Sequence, residues 1–342
     1  MPAGINFLIN KSLLYDTVNT DYRYIHTEFN QGNPMFASVL LTENKKVRRE
    51  LVANVMDHVY FLAGELGERT LREYDNLNQA RYYIKDYFRE FGHEPWDEKY
   101  TADGMEVANV AVEITGYDRP DDIIVVGAHY DTIEDSPGAD DNASAIAGLL
   151  ELYRLLSPYR YKKTVRFVAF TLEEPPFFSS ELMGSMQYSA GCKKRNENIE
   201  LMICLEMIGF GSKKCPQEFP LEEMKRNKPP YGDYLGVFSL PSSAPYVSLW
   251  KDVYNTAAKR KIHDIVGPAS IPGMDLSDHR SFVARGYPAI MLSDSGYYRN
   301  KNYHTPGDTP DTLNYNFLAE NVHNSHIALR DILNMDKLIG PR

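Results

Sequence analysis

The 342-residue chain is poor in cysteine, with only Cys192, Cys204 and Cys215. An odd, sparse set is no disulfide framework, and its spacing matches no cysteine-type zinc site. Long hydrophobic runs are also missing. No stretch reaches the roughly 18 apolar residues of a membrane span, so no membrane partner is expected. Basic residues are in deficit: 37 Lys and Arg stand against 47 Asp and Glu, a net charge of −10. That balance argues against nucleic acid as a partner, because phosphates want clustered Lys and Arg. It suits an enzyme that binds cations or amines, and it also serves solubility. Repeats and low-complexity tracts are absent. The N-terminus lacks a basic segment followed by a long apolar run, since Ile5-Asn6-Phe7-Leu8-Ile9 is too short. Free thiols and the lack of a leader fit the cytoplasm; a leader removed ahead of Met1 would instead imply a periplasmic or secreted protein.

What is present is an α/β pattern. Residues 1–46 are polar and without a period, and read as an extension packed on the domain 47–342. From Val47 a helical spacing begins at Leu51, Val55, Val59 and Leu62, and a second helix is expected over 77–91. β-rich runs come next, at 107–115, 123–128, 164–171, 201–206, 234–240 and 287–292. Helical patterns separate most of them; Ala145, Leu149, Leu152, Tyr153 and Leu156 mark one apolar face, and 247–259 and 316–333 look helical too. Strands alternating with helices predict a three-layer α/β/α fold with a mostly parallel, mixed central sheet. The stretch 213–232, rich in Pro, Lys and Glu, reads as a surface insertion.

In such sheets ligands bind beyond the carboxyl ends of the strands. Ionisable residues gather there from separate segments. His129 and Asp131 follow one strand, Glu173 and Glu174 another, Glu206 ends a third, and His304 lies after the last. Asp141 precedes the helix that opens near 142–144, and its neighbour Asp140 reads as turn or cap chemistry. Zinc accepts imidazole nitrogen and carboxylate oxygen, and catalytic sites keep a position open. His129, His304, Asp141, Glu174 and Glu206 fit two zinc ions per chain sharing one carboxylate. Asp131, two residues from His129, is expected to accept the second ring N–H of that histidine. Adjacent Glu173 and Glu174 repel if both are buried anions. A metal relieves one of them, Glu174, and proton transfer suits the other, Glu173, as general base. Asp278-His279 reads as a helix cap and a packing residue. Glu320, His323 and His326 share one face of an amphipathic helix.

Six fragments in order carry a resemblance: His129-Tyr130-Asp131, Ala139-Asp140-Asp141-Asn142, Glu173-Glu174, Met207-Ile208-Gly209, Ser277-Asp278-His279 and Tyr303-His304-Thr305-Pro306-Gly307-Asp308-Thr309. Together they resemble the co-catalytic dizinc aminopeptidase family, which includes bacterial leucyl aminopeptidases, glutamate carboxypeptidase II and, more distantly, glutaminyl cyclase. The resemblance implies that Asp141 bridges the metals, that Glu174 and His304 complete one site, and that His129 and Glu206 complete the other. It implies a zinc-dependent exopeptidase, an aminopeptidase first of all, acting on a peptide or small amide. Tyr303 is the expected donor to the oxyanion. One position departs from the pattern: the aminopeptidases carry Asp where this chain has Glu206. In a related dizinc family a Glu here accompanies carboxypeptidase-like or deacylase activity. Three alternatives therefore stay open. A carboxypeptidase or N-acyl amino-acid hydrolase would need a cation for the substrate carboxylate, with Arg280, Arg285, Arg299 and Lys301 as candidates. A glutaminyl-cyclase-type acyltransferase would need one zinc. A metal-free, non-enzymatic relative would need neither.

Overall fold

The computed structural model describes residues 34–339 except 227, with side chains from Val47 onward, 257 excepted. The expected packing of the extension on the domain lies largely outside these residues. Its described end is helical: α1 runs from Pro34 to Val59, straight across position 46, and continues as a wider turn, Tyr60–Leu66. The sheet and its covering helices all lie in one compact unit that begins at Arg48.

Among the described residues eight strands build one mixed sheet in the order β1-β2-β4-β3-β5-β8-β6-β7. They are β1 Trp96–Ala102, β2 Met105–Ile114, β3 Arg119–His129, β4 Lys163–Phe170, β5 Asn198–Glu206, β6 Gly236–Ser239, β7 His263–Val266 and β8 Ala289–Ser293. The centre, β4-β3-β5-β8, is parallel, and β1, β2 and the β6–β8 pairing are antiparallel. The run Ile123 to Ala128 has no polar side chain, and all eight residues of β4 are buried. A strand covered on both faces must read this way.

The helices are α2 Tyr74–Arg89, α3 Ala145–Leu156, α4 Gly184–Lys194, α5 Ala244–Ala257, α6 His279–Ala284 and α7 Tyr315–Leu333. On one face Val125, Val168, Met202, Cys204 and Met291 pack with Tyr188 and Cys192 of α4 and Phe282 of α6. On the other, Phe167 meets Tyr153 of α3 edge to face, and Gly148 of α3 admits Leu205 and Val322 of α7. The two faces are thus covered by different helices, as expected from the sequence.

Two strands and two helices were not foreseen. β1 (WDEKYTA) and β7 (HDIV) lie at the sheet edges and lack apolar runs. α4 contains two glycines and α6 has only six residues, too little for a period to emerge.

His326 on α7 carries a pH prediction away from the site. Burial first, then His323, Arg330 and Arg154, lower its imidazole to about 3 from an ordinary 6.5. The unfolded chain then binds a proton that the folded chain refuses, so stability is lost as pH falls through 6.5 towards 3. Urea unfolding of wild type and His326→Gln between pH 7.5 and 5 should show the wild type losing ground to the variant on acidification. A difference independent of pH would contradict this.

Candidate active site

Four parallel strands end at one edge, and the acidic and imidazole groups stand on those ends. His129 is the last residue of β3 and Glu206 the last of β5; Glu173 and Glu174 follow β4; His304 lies in the loop after β8. β3 feeds β4 on one side through α3, and β4 then crosses to β5 on the other side of β3. That reversal opens the crevice in which doubly wound folds bind ligands. Asp141 enters it from the irregular turn Ala139–Ser144, just ahead of α3.

Asp141 stands between the two histidines. Its Oδ1 lies 3.3 Å from His129 Nε2 and its Oδ2 3.2 Å from His304 Nε2. Each histidine faces one further carboxylate: His129 Nε2 is 3.4 Å from Glu206 Oε2, and His304 Nε2 is 3.2 Å from Glu174 Oε2. Glu173 Oε2 is 4.0 Å from His129 Nε2. His304 adopts a left-handed backbone (φ 57°), which turns its ring back toward the cluster. All five sequence-predicted ligands and Glu173 therefore meet. The Tyr303 ring stacks on His304, with centroids 3.7 Å apart.

Asp131 stands beside His129 Nδ1, as expected, and has a second role as well. The strand ends at His129, so the two-residue alternation stops there. His129 Nδ1 lies nearer the main-chain oxygen of Asp131 (3.2 Å) than its carboxylate (3.5 Å). The carboxylate also accepts the backbone N–H groups of Glu173 and Glu174, both at 3.1 Å. Asp140 is not turn or cap chemistry at the surface. It is fully buried and accepts from Gly209 N (3.0 Å) and Asn300 Nδ2 (2.9 Å). Asp278 stands at the start of α6 but makes no cap bond, and both its carboxylate oxygens are buried without a partner. Glu320 pairs with Arg48 and Arg260, away from any metal-like grouping.

Other supports were not singled out from the sequence. Asp308 accepts the amides of Asp140 and Asp141 at 3.0–3.1 Å, fixing the backbone that carries Asp141. Ser277 donates to Glu206 Oε2 at 2.6 Å. Asn142 donates to Leu205 O and accepts from Met207 N. All three sit inside the six motif fragments, so the signal was present but not resolved to single residues.

The electrostatics follow from packing so many acids together. Burial raises Glu173 well above its ordinary value; His129 opposes this, and Glu174 and Glu206 add to it. Burial and then Asp141 push Glu174 up to about 8. Burial alone would lower His304, but Asp141 and Glu174 carry it to about 10. Clustered acids raise one another's proton affinity, and a nearby cation lowers it.

Two cavities flank the cluster. An apolar one of about 640 Å³, open mouth included, is lined by Glu206, Met207, Phe219, Met224, Phe238, Ile265, Met274, Met291 and Tyr303. The stretch 213–232 supplies Gln217, Glu218, Phe219, Pro220 and Met224 to this wall, so it is more than a surface insertion. Arg299 holds it by donating twice to Gln217 Oε1, at 3.0 and 2.8 Å. A second, more polar cavity on the other side is lined by Arg72, Asp131, Thr132, Glu134, Glu174 and Phe177, among others.

Residues 109–328, which span the cluster and the central strands, match the sequence model of peptidase family M28. The chain belongs to this family. It is 37% identical over 273 residues to the uncharacterized protein YfbL of Escherichia coli (strain K12), covering 77% of this chain and 83% of that one. It is 25% identical over 249 residues to the probable aminopeptidase YDR415C of Saccharomyces cerevisiae, covering 68% of this chain but only 56% of the yeast protein. In fold it is similar to BSAP, a zinc aminopeptidase from Bacillus subtilis (TM-score 0.64, 14% identity, 84% of this chain and 96% of that one). This M28 peptidase is a zinc metallopeptidase whose substrate is a peptide, and among its described residues no helix is long and apolar enough to cross a membrane.

The donor set fits zinc. Ligand atoms about 2.0–2.1 Å from a tetrahedral ion stand roughly 3.3 Å apart, the spacing between each histidine nitrogen and its two carboxylates here. Glu174 Oε1 is also buried without a hydrogen-bond partner. One shared anchor can be tested directly. Asp131→Ala should weaken zinc binding about 10–100-fold in chelator competition, because it frees the backbone of Glu173 and Glu174. Unchanged affinity in a folded variant would refute that role.

Proposed function

We propose that this M28 peptidase is a dizinc aminopeptidase that removes apolar residues from peptide N-termini. The observation that carries the reading is Asp141, whose two oxygens face two histidines, each with its own glutamate. Asp141 would bridge the two ions; His129 and Glu206 would complete one site, and Glu174 and His304 the other. When bound, the ions supply Lewis acidity to the scissile carbonyl and acidity to the attacking water.

Glu173, buried and with raised proton affinity, takes a proton from that water as its oxygen bonds to the carbonyl carbon. It returns the proton to the leaving nitrogen as the C–N bond breaks. Tyr303, over His304, donates its hydroxyl to the oxyanion. Asp131 keeps Glu173 and Glu174 in register through their amides.

The cavity walls favour an amine over a carboxylate at the substrate end. None of the four candidate cations lines either cavity. Arg285 pairs with Glu181, Lys301 with Glu218, Arg299 is committed to Gln217 and Phe210 O, and Arg280 lies over Phe178. Arg72 lines the second cavity but is occupied by Glu68, Glu134 and Asp135. A free α-amine beside Glu206, with its side chain among Met274, Met291 and Phe238, suits these surroundings better. Two histidine–carboxylate pairs likewise favour two metals over the single zinc of a glutaminyl cyclase.

Purified protein should hold about two zinc ions per chain and lose activity to chelator. Glu173→Gln should keep the zinc and lose at least about 100-fold in kcat. A chain that binds no zinc, or turns over only N-blocked substrates, would overturn the reading. Met274→Trp, which fills the apolar cavity, should cut kcat/KM for leucyl and phenylalanyl substrates about 10-fold or more relative to alanyl ones. Equal losses across all three would show that the cavity does not hold the terminal side chain.

A further inference from the structure

Arg69 lies forty residues ahead of the segment matched to the M28 family, between the Tyr60–Leu66 turn and α2. Its side chain is fully buried, yet none of its hydrogen bonds goes to a carboxylate. The guanidinium donates instead to five main-chain carbonyls. Nε reaches Tyr130 O at 2.8 Å; Nη1 reaches Leu62 O, Gly67 O and Pro137 O at 2.8–2.9 Å; Nη2 reaches Gly138 O at 3.1 Å. Its backbone is tied as well: Arg69 N donates to Thr132 Oγ1 and Thr132 N donates to Arg69 O.

Three of those carbonyls, at 130, 137 and 138, belong to the loop that joins His129 to Asp141. One planar fork therefore fixes where this loop leaves β3 and where it enters the turn that carries Asp141. Gly138 shows how tight the arrangement is. It has φ +59°, and a Cβ there would lie 2.3 Å from Asp141 O and 3.2 Å from Arg69 Nη2. Burying a cation with only neutral partners is unfavourable unless charge nearby compensates. Asp131, Asp308 and Asp141 are the acids that act on it, and they oppose the burial that lowers Arg69 to about 10.

We infer that Arg69 is a positioning residue for the metal site, setting the His129–Asp141 separation by clamping both ends of the intervening loop. The inference rests on the dizinc reading. It makes a prediction opposite in sign to simple electrostatics. Removing a positive charge near a cation site should tighten metal binding if charge alone mattered. Removing a clamp should weaken it.

The test is chelator-competition titration of zinc into metal-free wild type, Arg69→Lys, Arg69→Met and Leu77→Ala, with far-UV circular dichroism as a check of folding. Leu77, in the core of α2, serves as a destabilised control. Both Arg69 variants should bind zinc about 10–100-fold more weakly, the Lys variant included, since it keeps the charge but cannot hold the fork. Leu77→Ala should lose stability and keep its affinity. Equal or tighter zinc binding by folded Arg69→Met or Arg69→Lys, or an equal loss in Leu77→Ala, would overturn the inference. If Arg69→Met does not fold, Arg69→Lys and Thr132→Val, which frees the Arg69 amide, are read by the same criteria. Wild type that binds no zinc would instead sink the dizinc reading itself.

Discussion

A carboxylate has two oxygens, and in Asp141 each faces a different histidine 3.2–3.3 Å away. That single side chain must be placed in both position and rotation for two histidine–glutamate pairs to share it. Much of the surrounding structure meets this demand. Asp308 takes the amides of residues 140 and 141. Asp140, one residue away, is tied to Gly209 and Asn300, and so joins the turn to the loops after β5 and β8. Asn142, on the other side, spans to Leu205 and Met207. The turn is held from the ends of β5 and β8, which carry Glu206 and lead to His304.

The same edge collects nine buried carboxylates: Asp131, Asp140, Asp141, Glu173, Glu174, Glu206, Asp278, Asp294 and Asp308. Burying so many acids together is unfavourable unless protons, amides or cations compensate. Amides serve Asp131 and Asp308. Burial and neighbouring acids raise the proton affinities of Glu173 and Glu174. Cations binding there compete with protons for these carboxylates, so metal affinity and pH are linked. The α/β topology makes the arrangement feasible because the rigid parallel strands β3, β4, β5 and β8 deliver their groups to one edge while neutral apolar layers cover both faces.

Much of this was legible in the chain. The central strands announce themselves through unbroken apolar runs, and α3, α5 and α7 through their spacing. Edge strands β1 and β7 escaped because half-exposed strands need no such runs, and α6 because six residues hold less than two turns. The five ligand candidates and Glu173 were legible because each is a chemically distinctive residue at a strand end. Asp308 and Ser277 were harder to see, since they act through hydrogen bonds across as many as 168 and 71 positions of chain. The wall built by 213–232 was hidden in the composition because its exposed Lys and Glu residues outnumber Gln217, Phe219 and Met224, which line the cavity.

By itself, then, the sequence determined the residue types that can hold metal, their order, and the alternation of strand and helix that carries them to a common edge. These are local properties, written in side-chain chemistry and in periodicity. The tertiary structure decided what depends on distance between remote segments. It set His129 against Glu206 and His304 against Glu174 at 3.2–3.4 Å, as the resemblance implied, gave the carboxylate of Asp131 two backbone amides besides the imidazole, and made the 213–232 insertion a pocket wall. It also brought Arg69, which no motif marks, onto both ends of the loop before Asp141. A hydrogen bond to a main-chain carbonyl leaves no trace in the identity of its acceptor, so only the folded chain could reveal that clamp.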